Sequence, residues 1–210
     1  MQYKNYLFDL DGTLTDPGLG IKNSIRYALE KYGLEPLTEG TLDRFVGPPL
    51  LDSFQRYCHV TEEESRALLR LYREYFSERG IFENRLYETT ADTLAELRRR
   101  GARLFLATSK PEPFARKILE HFELDAYFTF IGGSTLEETR TDKGEVIRYV
   151  METAKLQAED SVMVGDRIYD VEGGRAAGLA TVGVLYGYGD REELASADRL
   201  ITGLDELLEL

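Results

Sequence analysis

Six short apolar runs recur along this chain, with helical patterns between them, and this alternation restricts the fold more than any other feature. The runs are Tyr6–Leu10, Arg103–Thr108, Phe128–Ile131, Ser161–Val164, Thr181–Leu185 and Arg199–Ile201. Each is short and bounded by Gly or Asp, as expected of parallel strands buried on both faces. Phe114, Ile118 and Phe122 recur every four residues, and Val146, Ile147, Val150 and Ala154 share one helical face. Strand and helix in alternation give a Rossmann-like parallel α/β core.

One stretch breaks the pattern. From about Asp16 to Glu83 there is helical signal only. Ile21, Ile25, Leu29 and Tyr32 mark a helix that stops at Gly33. Thr61-x-x-Glu64 is a capping box that opens another, carrying Leu68, Leu71, Tyr72, Tyr75 and Phe76 and ending at Gly80. The expected organisation is an α/β core formed by 1–15 and 84–210, with an all-helical insertion at 16–83. Thr15–Gly20 and Gly80–Arg85 are its expected hinges.

Composition narrows the chemistry. The net charge is −12 over 210 residues, so nucleic acid and anionic membrane are not expected partners, because both require clustered Lys and Arg. An anion site here has to be built locally, from a metal, a lysine or backbone N–H groups. Cys58 is the one cysteine, which rules out an internal disulfide. No apolar window is long enough for a signal peptide or a membrane helix. A cytoplasmic protein, monomeric or homodimeric, is the expectation.

Four segments carry potential chemistry. Asp9-x-Asp11-Gly12-Thr13 follows the first run, at the strand end where open α/β sheets bind ligands. Two carboxylates at that spacing can divide the work of nucleophile and general acid–base, and both favour a hard cation. Gly165-Asp166-x-x-x-Asp170 follows the fourth run and adds two carboxylates, which suits Mg²⁺. Thr108-Ser109-Lys110 follows the second run, where a hydroxyl binds a phosphoryl oxygen or simply caps a helix. Lys143 precedes the helix of Val146.

Together, in this order and spanning nearly the whole chain, these segments resemble the haloacid dehalogenase superfamily of phosphohydrolases with a helical cap of subclass I. The subgroup they look most like is the phosphoglycolate phosphatases. The resemblance implies Mg²⁺-dependent hydrolysis of a small phosphorylated metabolite. Asp9 would be the nucleophile that forms an aspartyl-phosphate, and Asp11 the acid and then the base. The metal would be held by Asp9, the Asp11 carbonyl and Asp166, with Asp170 beside it. Thr108, Ser109 and Lys143 would bind the phosphoryl group. Many relatives carry Lys-Pro-x-Pro at the third motif, whereas this chain has Asp142-Lys143-Gly144, so Lys110 remains a rival for that role. A 5′-nucleotidase, a pyrophosphatase, a phosphomutase and an idle binding module stay open as alternatives. Within the insertion, Arg44 and Gly47 of Arg44-Phe45-Val46-Gly47-Pro48-Pro49 read either as contacts to the leaving group or as an interhelix turn.

Overall fold

The computed structural model describes residues 3–137 and 139–210. Along the chain, β1 (Asn5–Phe8) is followed by a tight turn in which the Leu14 and Thr15 N–H groups both donate to the Leu10 carbonyl. Next come β2 (Thr15–Asp16), α1 (Gly18–Tyr32), α2 (Glu39–Asp43), α3 (Leu50–Cys58), α4 (Glu62–Glu78) and β3 (Arg85–Leu86). The remainder alternates: α5 (Thr90–Arg99), β4 (Arg103–Pro111), α6 (Glu112–His121), β5 (Phe128–Ser134), α7 (Lys143–Ala154), β6 (Ser161–Gly165), α8 (Ile168–Ala176), β7 (Ala180–Val184) and β8 (Arg199–Ile201). The chain divides into two compact units, one of Met1–Thr15 with Leu86–Leu210, the other Asp16–Arg85.

The first unit holds a six-stranded sheet in the order β5-β4-β1-β6-β7-β8, with every pairing parallel. Consecutive strands run outward from β1 to one edge and then from β6 to the other. The order therefore reverses between β1 and β6, the place where such sheets bind ligands. On one face Leu7, Phe105, Ala107 and Met163 pack against Val146, Ile147 and Val150 of α7, all buried. Truncating Leu7, Met163 or Ile147 to Ala should cost about 2–5 kcal/mol.

Several boundaries differ from the sequence expectation. β1 stops at Phe8 rather than Leu10, because the chain turns there, although the Asp9 N–H still donates to the Val164 carbonyl at 2.9 Å. β4 continues past Thr108 to Pro111, paired with β5. Phe122 caps α6 instead of belonging to it. β2 and β3 are two-residue strands that pair with each other and are too short to show any alternation.

The second unit is helical. Its capping box forms as read: the Thr61 hydroxyl accepts from the Glu64 N–H while the Glu64 carboxylate accepts from the Thr61 N–H. Leu68, Leu69, Tyr72 and Phe76 form the buried stripe of α4, and the Tyr75 ring lies tilted at 5.6 Å from Tyr27 of α1. Gly20 and Gly80, at the inner ends of the two expected hinge segments, are in packing contact. A Cβ on Gly20 would lie 1.9 Å from the Gly80 carbonyl oxygen, and the Gly20 N–H donates to Glu83. At this crossing no side chain fits, so the backbones touch directly.

Candidate active site

The sheet register alone brings the motifs together. Phe8 pairs with Leu106 on one side and Val164 on the other. Asp9 is thus one residue past the last pair, and Thr108 and Asp166 are each two residues past it. Asp9 and Asp166 follow the carboxyl ends of β1 and β6, and Thr108 lies level with them in the carboxyl-terminal half of β4. Asp170 joins them from the first turn of α8, and Lys143 from the first residue of α7.

Side chains complete the arrangement. Asp9, Asp166 and Asp170 are 6%, 1% and 2% exposed, and each presents a carboxylate oxygen within 4.8 Å of the others. The buried Lys143 ammonium lies 2.8 Å from Asp9 Oδ1 and 2.9 Å from Asp170 Oδ1, and donates to the Ala107 carbonyl at 3.1 Å. Lys110, the rival, pairs instead with Asp11. The two lysines therefore pair with different carboxylates. The Asp11 side chain stands outside the three-carboxylate group, and its Oδ1 is buried without a hydrogen-bond partner.

The Asp166 carboxylate is fixed from two directions, by the Tyr188 N–H at 2.8 Å and the Thr13 hydroxyl at 3.4 Å. The Asp170 carboxylate accepts from the Arg167 N–H at 3.0 Å. Gly12 sits at φ +86°, and a Cβ there would fall 2.1 Å from Asp166 Oδ2, so turn geometry and close approach both demand glycine. Thr108 is buried and its hydroxyl accepts from the Lys110 N–H at 3.2 Å; Ser109 is half-buried.

The electrostatics follow from crowding carboxylates in a dry place. Burial, reinforced by Asp170 and Asp9, holds the Asp166 carboxyl well above its ordinary range. Burial raises Asp170 to about 6 against the pull of Lys143. Asp11 is likewise raised by burial, with Lys110 opposing. For Lys143 burial acts to lower the pKa, but Asp170 and Asp9 outweigh it and the ammonium is held above its ordinary range. Three carboxylates facing one ammonium leave excess negative charge in a cluster of hard oxygen donors. That donor set fits a small divalent cation.

Arg44 and Gly47 belong to the helical unit and are not part of this cluster. Arg44 caps α2 with its side chain exposed, and Gly47 turns at φ +103° before Pro48. Buried Phe45 and Val46 anchor the segment, with Phe45 edge-on to Phe54 at 5.3 Å. Sequence reasoning missed Lys110 as a partner of Asp11, Thr13 as a partner of Asp166, and the backbone of Tyr188. A lysine two residues after a strand-end hydroxyl is a visible signal; a main-chain N–H some twenty residues away is not.

Among the described residues no helix is long and apolar enough to cross a membrane. Residues 6–184 match the family model of the haloacid dehalogenase-like hydrolases. A 5′-nucleotidase of Pseudomonas aeruginosa is 43% identical over 92% of this chain and 88% of its own. The tyrosine-protein kinase PtkA of Mycobacterium tuberculosis is 42% identical over 87% of this chain but 62% of its own. Phosphoglycolate phosphatase 1 of P. aeruginosa is 30% identical over 90% of this chain and 72% of its own. Among solved structures, a predicted phosphatase from Clostridium acetobutylicum superposes with a TM-score of 0.95 at 42% identity, covering all of both chains.

Proposed function

This chain belongs to the haloacid dehalogenase-like hydrolases, and on that premise we propose that it is a Mg²⁺-dependent phosphatase acting through an aspartyl-phosphate on Asp9. The observation that carries the reading is the buried constellation of Asp9, Asp11, Lys143, Asp166 and Asp170 at the sheet's switch point. Asp9, Asp166 and the Asp11 carbonyl would hold the cation, with Asp170 beside them. Bound Mg²⁺ supplies charge cancellation toward the phosphoryl oxygens.

The protein's own groups account for the rest. An Asp9 carboxylate oxygen attacks phosphorus while the bond to the ester oxygen breaks. Asp11, whose burial favours the protonated form, gives its proton to that leaving oxygen. A water then attacks the phosphoryl group and loses its proton to Asp11. The Asp9–phosphorus bond breaks and phosphate departs, regenerating both carboxyls. Lys143 stays charged throughout and attracts the phosphoryl oxygens, and the Thr108 hydroxyl donates to one of them. Positioning and charge cancellation of this kind are most of what phosphoryl transfer needs.

For the substrate, we rank nucleoside 5′-monophosphates ahead of phosphoglycolate. The support is the 43% identity to a 5′-nucleotidase, against 30% to a phosphoglycolate phosphatase. The test is phosphate release with Mg²⁺ from nucleoside 5′-monophosphates, phosphoglycolate and pyrophosphate, compared by kcat/KM. A nucleotide at the head of the ranking supports the proposal. No release from any monoester would refute the phosphatase reading, and phosphoglycolate far ahead of every nucleotide would reverse the substrate order.

A further inference from the structure

The segment after β7, Tyr186-Gly187-Tyr188-Gly189, belongs to none of the four motifs, yet it touches two of them. The Tyr186 hydroxyl donates to the Thr13 carbonyl at 2.8 Å, across 173 residues of sequence. The Tyr188 N–H donates to Asp166 Oδ2 at 2.8 Å. Both glycines are pressed onto the same groups. A Cβ on Gly187 would lie 2.4 Å from Asp166 Cβ and 2.4 Å from the Gly12 carbonyl oxygen, and one on Gly189 would lie 2.1 Å from the Asp166 carbonyl oxygen. The Tyr186 ring also packs at 4.8 Å on Tyr87, whose N–H donates to the Leu14 carbonyl just past the Asp9 turn.

We propose that this loop is a clamp that sets the position of the Asp166 carboxylate against the Asp9–Thr13 turn, and that Tyr186 is a positioning residue for the cation site. The inference rests on the metal reading above. The direct hydrogen bond between the first-motif turn and the fourth-motif carboxylate, from the Thr13 hydroxyl to Asp166, is long at 3.4 Å, and at Gly12 the two meet by packing alone. With the clamp, both are tied to a third segment, so their oxygens keep a fixed separation before any cation arrives. Outer partners of this kind orient ligands and strengthen binding. Burial, with Asp166 nearby, keeps the Tyr186 phenol protonated, so it remains a donor.

The test uses the full chain and Mg²⁺ alone, measured by titration calorimetry without substrate. Tyr186→Phe keeps the ring and deletes one hydrogen bond. It should weaken Mg²⁺ binding roughly tenfold, the scale reported for outer partners of metal ligands, while the Tm in EDTA stays close to wild type. Leu207→Ala, which removes a buried side chain of the carboxyl-terminal turn, serves as the comparison. It should lower Tm but leave Mg²⁺ affinity unchanged. Wild-type affinity in Tyr186→Phe, or an equal loss in Leu207→Ala, would overturn the clamp. A wild-type chain that binds no Mg²⁺ would overturn the clamp and the metal site together, which distinguishes the two failures.

Discussion

Crowding Asp9, Asp166 and Asp170 in a buried cluster makes the metal-free protein sensitive to pH in an unusual direction. Asp170 titrates at about 6 in the folded protein, against 3.8 ordinarily. A carboxyl whose pKa is raised on folding holds a proton that the unfolded chain has already released. Stability is therefore lost as pH rises from about 4 to about 6, and the loss is complete above that. At about 1.4 kcal/mol per pH unit, the penalty is about 3 kcal/mol. For a chain of this size that is roughly 6–12 °C in Tm. Asp166, raised in the same direction, adds to it. A cation binding the deprotonated oxygens removes the penalty, so Mg²⁺ should stabilise more at pH 7.5 than at pH 5. The assay is thermal unfolding across that range, in EDTA and in saturating Mg²⁺, for wild type and Asp170→Asn. The gap between the two wild-type curves should widen with pH, and Asp170→Asn should narrow it. A gap that is constant or shrinks with pH would refute the reasoning.

Five other substitutions have expected outcomes. Asp9→Asn should cut phosphate release by more than about a thousandfold, within the range mutagenesis finds for groups acting at the reacting centre, with the circular dichroism spectrum unchanged. Lys110→Met removes the cation beside Asp11, so the Asp11 pKa rises further; the alkaline limb of kcat, set by loss of the acid form, should move to higher pH. Thr61→Ala should cost about 1 kcal/mol in chemical denaturation, the worth of an N-cap. Arg44→Ala, at an exposed position, should change stability by less than about 0.5 kcal/mol, whereas Gly47→Ala, at φ +103°, should cost about 1–3 kcal/mol. Comparing kcat/KM across several esters for Arg44→Ala then reads substrate contact free of any folding effect.

What could be read from the sequence divides along physical lines. Strands buried on both faces announce themselves as apolar runs, and those flanking the site were found to within a residue or two at most ends. Capping boxes are local, so Thr61 and Glu64 were readable directly. α8 was not read as a helix, because Gly173 and Gly174 are poor helix formers with a tertiary reason to be there: a Cβ on Gly173 would sit 3.1 Å from the Gly144 N and 3.1 Å from Ile147. Gly20 and Gly80 likewise have a tertiary reason to be glycine, a direct backbone contact that the sequence pattern does not announce. In the site, residue types and spacing pointed to Asp9, Asp11, Asp166 and Asp170. The division of labour between Lys110 and Lys143 depends on which carboxylate each ammonium reaches, and that is decided only by the register of β4 and the start of α7.

The central claim is that Asp9 carries the phosphoryl group. The direct measurement is rapid acid quench during turnover of a labile monoester with Mg²⁺, followed by proteolysis and mass spectrometry of the peptide containing Asp9. That peptide should gain the mass of one phosphoryl group, lose it under mild alkali, and stay unmodified in Asp9→Asn. Turnover with no acyl-phosphate on that peptide, or with the label on another residue, would contradict it.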